Sequence, residues 1–541
     1  MKRARKLTGV ARRRQTSRRM VLLVIAAFRL TGCTVGPKYQ RPAAEVPPVY
    51  KEVGDWKPAQ PNDQNLDGKW WEIFQDPQLN ALEEQVNVSN QNLKAAEAQY
   101  TQARAILRYH RADYFPTVTA DPVAARTKTS GNRQPHSSAF NGITYNDLQI
   151  PFELSYQIDV WGRVRRTVES YRAQAQASAA DLAAVNLSMH SQLALYYFQA
   201  RLLDAEEQLL NSTVTQYEQA LALIESRFAG GIASDVEVQQ AETQLETTRA
   251  QAIDVGVARA QYEHAVAVLI GKPPASFSLA PLPLTMPPPP IPVGLPSELL
   301  ERRPDIAAAE RLMASANAQI GVAKSAYYPL VNLAAIGGFE SGSPTTLLSG
   351  PSILWSAGPS ALFTIFDVGR RRAASDQAIA AYDQTVANYR QTVLTGFQQV
   401  EDNVAALRIL EHEAQVQDKA VAAAQKYLEL AIVRYKGGVT SYLEVTTAQS
   451  AALTDELTAV NILGRRMVDA VLLVQALGGG WNSSSLPQRP ECCGKLPAVQ
   501  GNTVAPFAIV GCHIRALFES ISRFPSPTIL TPLPRIPDER R

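Results

Sequence analysis

Residues able to catalyse a reaction or bind a metal are few in this chain and lie far apart. Six histidines are spread along the sequence without the spacing of metal ligands: His110, His136, His190, His264, His412 and His513. The sequence contains no phosphate-binding glycine loop, no nucleophile elbow and no dinucleotide-binding turn. We therefore predict no catalytic residue, no bound metal and no cofactor, and hence a protein that is not an enzyme.

One cysteine stands in a context that suggests a modification. Cys33 ends the tetrapeptide LTGC, which follows a basic stretch and the short apolar run at residues 20–28. This order is typical of an export signal, because a permanent membrane helix needs about 20 apolar residues. The tetrapeptide is similar to a bacterial lipobox, in which Cys33 would carry lipid, and the non-acidic Thr34 favours the outer membrane. The alternative is a basic tail with an unmodified Cys33.

The charge distribution argues against binding to nucleic acid. Residues 1–32 carry ten lysines and arginines and no acid, so the net charge falls from +3 for the whole chain to −7 for the rest. A nucleic-acid-binding body would be basic, and this one is mildly acidic. The apolar fraction of 46% is high enough to form a core.

A strand followed by a very long helix is the element around which the chain is organised. PFELSYQIDV, starting at Pro151, alternates apolar and polar residues with the period of a strand. Residues 164–229 contain neither proline nor glycine and are rich in Ala, Gln, Leu, Glu and Arg, which favours one helix of about 100 Å. Gly230 and Gly231 then supply a helix end.

The same unit occurs twice. RFAGGIASDVEV starts at Arg227 and RYKGGVTSYLEV starts at Arg434, an offset of 207 residues. Each half predicts a helix, two strands, a very long helix, a two-glycine turn and a last helix. Such internal repetition indicates a fold built from a structural repeat.

The repeats are predicted at 81–272 and 305–481, joined by a proline-rich extended connector at 273–304. Outside them we predict a signal peptide at 1–32, an extended segment at 33–80 and a disordered tail at 482–541. Within the repeats we expect helices at about 79–111, 164–229, 234–270 and 369–436, and a last helix ending at Gly478. Strands are expected near 117–126, 147–160, 330–340 and 358–367. The fold class is therefore mainly α with a small β part.

The number of strands bears on how the chain could enter a membrane. Each half supplies two strands, so one chain offers four, whereas single-chain membrane barrels need about eight or more. Open sheet edges are not tolerated in lipid. Three copies would supply about twelve strands for a closed barrel and about twelve long helical segments for a tube. The alternative, an isolated coiled coil, explains the helices but neither the strands nor the export signal.

Several separated motifs resemble one family. CTVGPKYQRP, WWEIFQDPQL, FELSYQIDVWGRVRR, ELLERRPDIAAAE and RYKGGVTSYLEV are similar to the TolC-like outer-membrane factors, in particular the lipoprotein branch of resistance-nodulation-division tripartite efflux systems. The resemblance implies a homotrimer with a twelve-stranded outer-membrane β-barrel, four strands from each chain, and an α-helical tunnel in the periplasm. It also implies three kinds of partner: a periplasmic adaptor protein, an inner-membrane transporter and outer-membrane lipid.

The resemblance further implies roles for named residues. The hairpin tips that contact the adaptor match Gly230, Gly231, Gly437 and Gly438. The gate of the tunnel matches Tyr435, Asp235 and Glu444. Thr440 replaces a basic latch residue found in some members, and Thr447 stands where a second carboxylate can occur, so the latch partners differ here.

Three functions remain open from the sequence. The first is a passive outer-membrane exit duct for drugs or other toxic compounds, driven by an inner-membrane transporter. The second is the exit duct of a type I protein secretion system, against which the lipobox and the GPKYQRP start speak. The third is a lipid-tethered periplasmic coiled-coil scaffold, which single-channel conductance would exclude.

Overall fold

Two helices of 67 residues each dominate the structure. The computed structural model describes residues 34–43, 46–53, 68–132, 142–291, 293 and 296–487. In chain order the α-helices of these residues are α1 Pro77–Ser89, α2 Gln91–Ala112, α3 Arg163–Ala229, α4 Asp235–Leu269, α5 Pro296–Arg302, α6 Pro304–Ser325, α7 Arg370–Lys436 and α8 Tyr442–Ala476. The predicted long helices are confirmed as α3 and α7, each within one residue of its expected ends.

The helices pack as two hairpins with a third element between them. In the first hairpin α3 packs against α4, and in the second α7 packs against α8. Helix α6 contacts both long helices, and α2 lies along α3. The main core forms where the sequence has its paired tryptophans, because Trp70, Trp71 and Phe74 are each no more than 4% exposed and pack against α3 and α8.

The helix expected from residue 79 to about 111 is in fact two helices, so that prediction was wrong at its middle. Asn90 leaves the helical conformation, and its side-chain oxygen accepts a hydrogen bond of 2.9 Å from the Leu93 amide, which caps α2. The side-chain amide of Asn90 donates to the Leu269 carbonyl at 2.8 Å. The break therefore depends on a capping residue held by the end of α4.

The strands form one antiparallel sheet that is four strands wide. They are β1 Thr117–Ala120, β2 Val123–Lys128, β3 Thr144–Ile158, β4 Leu330–Ser341 and β5 Ile353–Leu362. Strands β1 and β2 both pair with β3, and the order continues β3–β4–β5. The first predicted strand is thus divided, at Asp121-Pro122, because proline has no amide hydrogen to donate to the ladder. On this sheet β1, β2 and β5 form the outer edges.

The strand expected at 358–367 lies at 353–362 instead, which corrects the prediction. Asp367 lies beyond the strand and caps the helix that follows. Its carboxylate accepts hydrogen bonds from the amides of Gly369 and Arg371 at 3.2 Å, and so it starts α7. Residues 363–368 consequently connect the sheet to the helix and leave Phe363, Ile365 and Phe366 exposed.

Three segments expected to be extended or disordered contain regular structure. Trp70–Phe74 is a 3-10 helix within the extended segment predicted at 33–80, and α1 begins at Pro77. Helix α5 occupies part of the proline-rich connector. Ser483–Ser485 forms a 3-10 turn, and Leu486 is 7% exposed within the predicted tail. The predicted signal peptide, Cys33 and the part of the predicted tail from residue 488 lie outside the described residues.

Two features are absent from the described residues. No helix among them is both long enough and apolar enough to cross a membrane. Within the same residues, no cluster of three or more His, Cys, Asp or Glu side chains could hold a metal ion.

Candidate functional site

The two-glycine turns form the tips of the two helix hairpins. We call residues 227–237 tip 1 and residues 434–444 tip 2, which are equivalent by the offset of 207. The second glycine of each turn has a positive φ, 68° at Gly231 and 72° at Gly438, a conformation that other residues adopt only with strain. The predicted tip glycines therefore form the turns, as expected from their capping chemistry.

Tyr435 contacts residues of both tips. Its ring is 5% exposed and meets Tyr442 edge-on, with the ring centroids 5.3 Å apart. From tip 1, the Arg227 guanidinium lies over the Tyr435 ring, 4.7 Å from its centroid, in a cation–π contact. Burial raises the pKa of the Tyr435 phenol and raises that of Tyr442 to about 12. Both phenols are therefore neutral at physiological pH.

Glu237 is a second contact between the tips, and the sequence prediction missed it. One carboxylate oxygen accepts a hydrogen bond of 3.1 Å from the Ser234 amide, at the start of its own helix α4. The other oxygen accepts from the Tyr442 amide at 3.3 Å, at the start of α8. The Ser-x-x-Glu spacing of a capping box could have revealed the first bond. Nothing in the sequence indicates the second.

Glu444 makes its contacts within tip 2. One oxygen of its partly buried carboxylate lies 3.3 Å from the Arg434 guanidinium, and the other accepts a hydrogen bond from the Thr440 hydroxyl. Thr447 is exposed and its hydroxyl donates to the Leu443 carbonyl at 2.8 Å. The Thr440 hydroxyl thus holds Glu444 within tip 2.

Asp235 does not join this group. It is exposed at the first position of α4, and the described residues include no hydrogen-bond or ion-pair partner for its carboxylate. The structure therefore places Tyr435 and Glu444 in tip 2, whereas the acidic residue of tip 1 that touches tip 2 is Glu237. The gate role of all three predicted residues stays a prediction.

A buried polar pair lies far along α3 from the tips. Glu83 is 0% exposed, and its carboxyl oxygen lies 2.6 Å from Nδ1 of His190. Nε2 of His190 lies 3.0 Å from the Asn87 side-chain oxygen, and the Trp71 ring stacks on the imidazole at 4.4 Å. Burial raises the pKa of Glu83 well above its usual value and lowers that of His190 to about 4. Both pKa shifts favour an uncharged pair, in which the Glu83 carboxyl donates to Nδ1 of His190.

The segment that follows Cys33 is bound at the start of α3. The buried Arg166 side chain donates to three successive carbonyls, those of Val35, Gly36 and Pro37, at 3.1–3.4 Å. A Cβ atom on Gly162 would lie 2.9 Å from the Thr34 side chain, so only glycine admits this approach. The described chain therefore starts beside the end of β3.

Comparison with known proteins gives the family. The model of a family described as outer membrane efflux protein matches residues 82–272 and 295–479. A probable efflux pump outer membrane protein, TtgC of Pseudomonas putida, is 32% identical over 468 residues, which cover 85% of this chain and 96% of that protein. The cation efflux system protein CusC of Escherichia coli is 30% identical, covering 84% and 97%.

Solved structures agree with this match. The outer-membrane channel OprN has a TM-score of 0.78 at 28% identity, over 83% of this chain and 100% of its own. The family model matches twice along the chain, in agreement with the internal repeat. The chain therefore belongs to the outer membrane efflux protein family, and it is an efflux channel component of the outer membrane that extends into the periplasm.

Proposed function

We propose that three copies of the chain assemble into the passive exit duct of a tripartite efflux pump. The observation that carries this proposal is a sheet four strands wide, with unpaired outer edges, joined directly to helices of about 100 Å. Lipid does not tolerate open sheet edges, and barrels need about eight or more strands. Three sheets joined edge to edge, β5 of one copy to β1 and β2 of the next, close a barrel of about twelve strands.

The tips are the proposed contact with a periplasmic adaptor protein. Each turn presents one exposed apolar side chain at its apex, Ile232 at 70% exposure and Val439 at 71%. Two equivalent apolar points on glycine turns offer a repeated docking surface. The adaptor would connect the duct to an inner-membrane resistance-nodulation-division transporter, which supplies the energy.

The tips are also the proposed gate. Separation of tip 1 from tip 2 would break the Arg227–Tyr435 contact and the hydrogen bond between Glu237 and the Tyr442 amide. Glu444, together with Asp235, would supply negative charge at the constriction, and rings of carboxylates favour cations. Adaptor docking would favour the separated arrangement, because the glycine turns and the gate residues lie in the same tips.

The position of Thr34, the residue after Cys33, supports the proposed lipidation of Cys33. Thr34 packs against Gly162, where α3 starts and β3 has just ended, so acyl chains on Cys33 would enter the membrane beside the sheet. In this proposal residues 1–32 are removed as the signal peptide. Mass spectrometry of the N-terminal peptide tests the proposal, and an unmodified Cys33 in the mature protein contradicts it.

The proposed cargo is drugs or other toxic compounds. Relatives include an antibiotic efflux pump protein and a toluene efflux pump protein of Pseudomonas putida as well as the cation efflux protein CusC. Deletion of the gene should therefore sensitise cells to antibiotics, solvents or metal ions. Loss of a secreted protein without any change in sensitivity would instead indicate type I secretion.

Planar-bilayer conductance of the detergent-extracted protein, with its mass measured in parallel, tests the proposed duct. A trimer with a small, cation-selective conductance is expected. A monomer without conductance would contradict the proposal and favour a lipid-tethered scaffold.

A further inference from the structure

A cavity of about 210 Å³ lies where the sheet meets the helices. Its walls come from three connections: the end of β3 with the start of α3, the end of α6 with the start of β4, and the end of β5 with the start of α7. The side chains that matter here are Asp159, Trp161, Arg163, Tyr328 and Arg371. The cavity thus marks the boundary between the proposed membrane part and the helical part.

The cavity keeps one positive charge after its internal pairs are formed. Asp159 is fully engaged, because one oxygen accepts from the Val164 amide and the other accepts from Arg165 at 3.1 Å. Arg371 pairs with Asp367 at 2.6 Å. Arg163 is exposed, and its guanidinium has no hydrogen-bond or ion-pair partner in the part of the chain that the structure describes. An anion of single charge therefore matches this lining.

Two aromatic rings form the wall beside Arg163. The Trp161 ring stacks on Tyr328 with the centroids 4.7 Å apart, and its Nε1 donates to the Pro329 carbonyl at 2.9 Å. Tyr328 is 43% exposed. Tryptophan and tyrosine are enriched at membrane–water boundaries because they combine an apolar ring with a polar atom. The cavity therefore has an amphipathic wall next to an unpaired cation.

The segment that enters α7 extends this surface. In the single chain Ile365, Phe366 and Val368 are 82–88% exposed, and Arg370 and Arg372 follow after Gly369. The Arg372 side chain is 86% exposed, and its partner Asp376 is 4.0 Å away. Apolar side chains beside exposed cations are typical of segments that contact acyl chains and headgroups together.

We propose that this junction binds the phosphate group of an anionic phospholipid. Arg163, Arg370 and Arg372 supply the positive charge, Trp161 and Tyr328 hold the headgroup region, and residues 363–368 contact the acyl chains. The proposal rests on the proposed insertion of the sheet in the outer membrane. Each cation near an anionic lipid surface strengthens binding about fivefold, so three of them give a measurable preference.

Native mass spectrometry of the intact trimer tests the proposal. The trimer is extracted in detergent and incubated with phosphatidylglycerol or phosphatidylcholine, and the retained lipid is counted. Phosphatidylglycerol should be retained at least tenfold more strongly, and salt should weaken it. The triple variant Arg163→Gln, Arg370→Gln, Arg372→Gln should lose this preference, because glutamine keeps a polar side chain but removes the charge.

The control removes three exposed cations farther along α7: Arg390→Gln, Lys419→Gln and Lys426→Gln. It loses the same charge and should retain the preference. Equal retention of both lipids by the unchanged trimer, or an unchanged preference in the junction variant, would overturn the proposal.

Two further arms separate other occupants of the site. Displacement of phosphatidylglycerol by millimolar inorganic phosphate would identify a free-phosphate site and overturn the membrane role. A preference present only in Cys33→Ala would assign the cavity to the chain's own lipid and also overturn it. Conductance of the same preparation is measured alongside, so loss of the lipid preference with conductance intact would contradict only this inference.

Discussion

The two hairpin tips carry equivalent residues but make different contacts. Arg227 and Glu237 of tip 1 match Arg434 and Glu444 of tip 2 by the offset of 207. In tip 2 the pair is internal, since Glu444 binds Arg434 at 3.3 Å. In tip 1 both residues reach tip 2, with Arg227 over the Tyr435 ring and Glu237 bound to the Tyr442 amide. The Arg–Glu pair thus stabilises tip 2 from within, whereas the equivalent residues of tip 1 connect the two tips.

The neighbouring residues explain the difference. Tip 2 has two buried tyrosines, Tyr435 and Tyr442, where tip 1 has Phe228 at 47% exposure and the exposed Asp235. The buried rings offer Arg227 an aromatic face, and the start of α8 offers Glu237 an amide. The equivalent residues of the two tips therefore have different roles, because only tip 2 supplies buried tyrosine rings.

The largest expected effect comes from removing the ring shared by both tips. Tyr435→Ala should raise the single-channel conductance several-fold, because the loss of a buried aromatic ring destabilises the contact by about 3–5 kcal/mol. Phe228→Ala, the equivalent change in tip 1, is the matched control and should leave conductance nearly unchanged. Equal conductance in the two variants would refute the claimed asymmetry.

Glu83, a buried acid outside both tips, tests whether burial controls the protonation of a carboxyl group in this protein. Folding raises the pKa of Glu83, so the stability that its proton provides is present below the usual value of 4.5 and is lost as pH rises. Glu83→Gln cannot lose a proton and keeps a donor for His190. Its stability advantage should therefore grow between pH 5 and pH 8, by up to about 1.4 kcal/mol per pH unit.

Thermal unfolding of the detergent-extracted protein at both pH values measures this advantage. The opposite contribution of His190, whose pKa falls to about 4, is present in both proteins and largely cancels. A difference that is the same at pH 5 and pH 8 would show that Glu83 is already ionised in the fold.

Glu237→Gln should weaken the connection between the tips by about 1 kcal/mol, because a neutral amide oxygen accepts less strongly than a carboxylate. The expected result is a modest rise in conductance with the ion selectivity unchanged. Glu242→Gln changes an exposed carboxylate of α4 that makes no such bond, and it serves as the control. A larger rise in conductance for Asp235→Asn would instead favour Asp235, the gate residue predicted from the sequence.

Glu444→Gln should have the smallest effect on conductance and act instead on ion selectivity. Three Glu444 side chains at a constriction would favour cations, so the variant should show a reduced preference for potassium over chloride in reversal-potential measurements. Glu429→Gln changes an exposed carboxylate of α7 and should not affect selectivity. Unchanged selectivity in Glu444→Gln would place Glu444 outside the constriction.

The sequence predicted the position of a site residue correctly where neighbouring residues alone determine that position. The tip glycines lie in the turns because a positive φ at Gly231 and Gly438 is a local requirement. Asp235 was predicted as a gate residue, and that role stays a prediction. The carboxylate of tip 1 that binds tip 2 is Glu237, whose partner amide at Tyr442 lies 205 residues away in the sequence. Only the packing of α4 beside α8 brings such atoms together.

The sequence by itself determined the long helices, the two-glycine turns and the repeat, because helix propensity, helix capping and periodicity are properties of neighbouring residues. The tertiary structure decided where α1 breaks from α2 and which acid connects the tips. The side chain of Asn90, where the helix breaks, binds the Leu269 carbonyl at the end of α4, and Glu237 binds an amide of the other hairpin. These features depend on hydrogen bonds and burial between segments that are far apart in the sequence. Such contacts form only when the chain has folded.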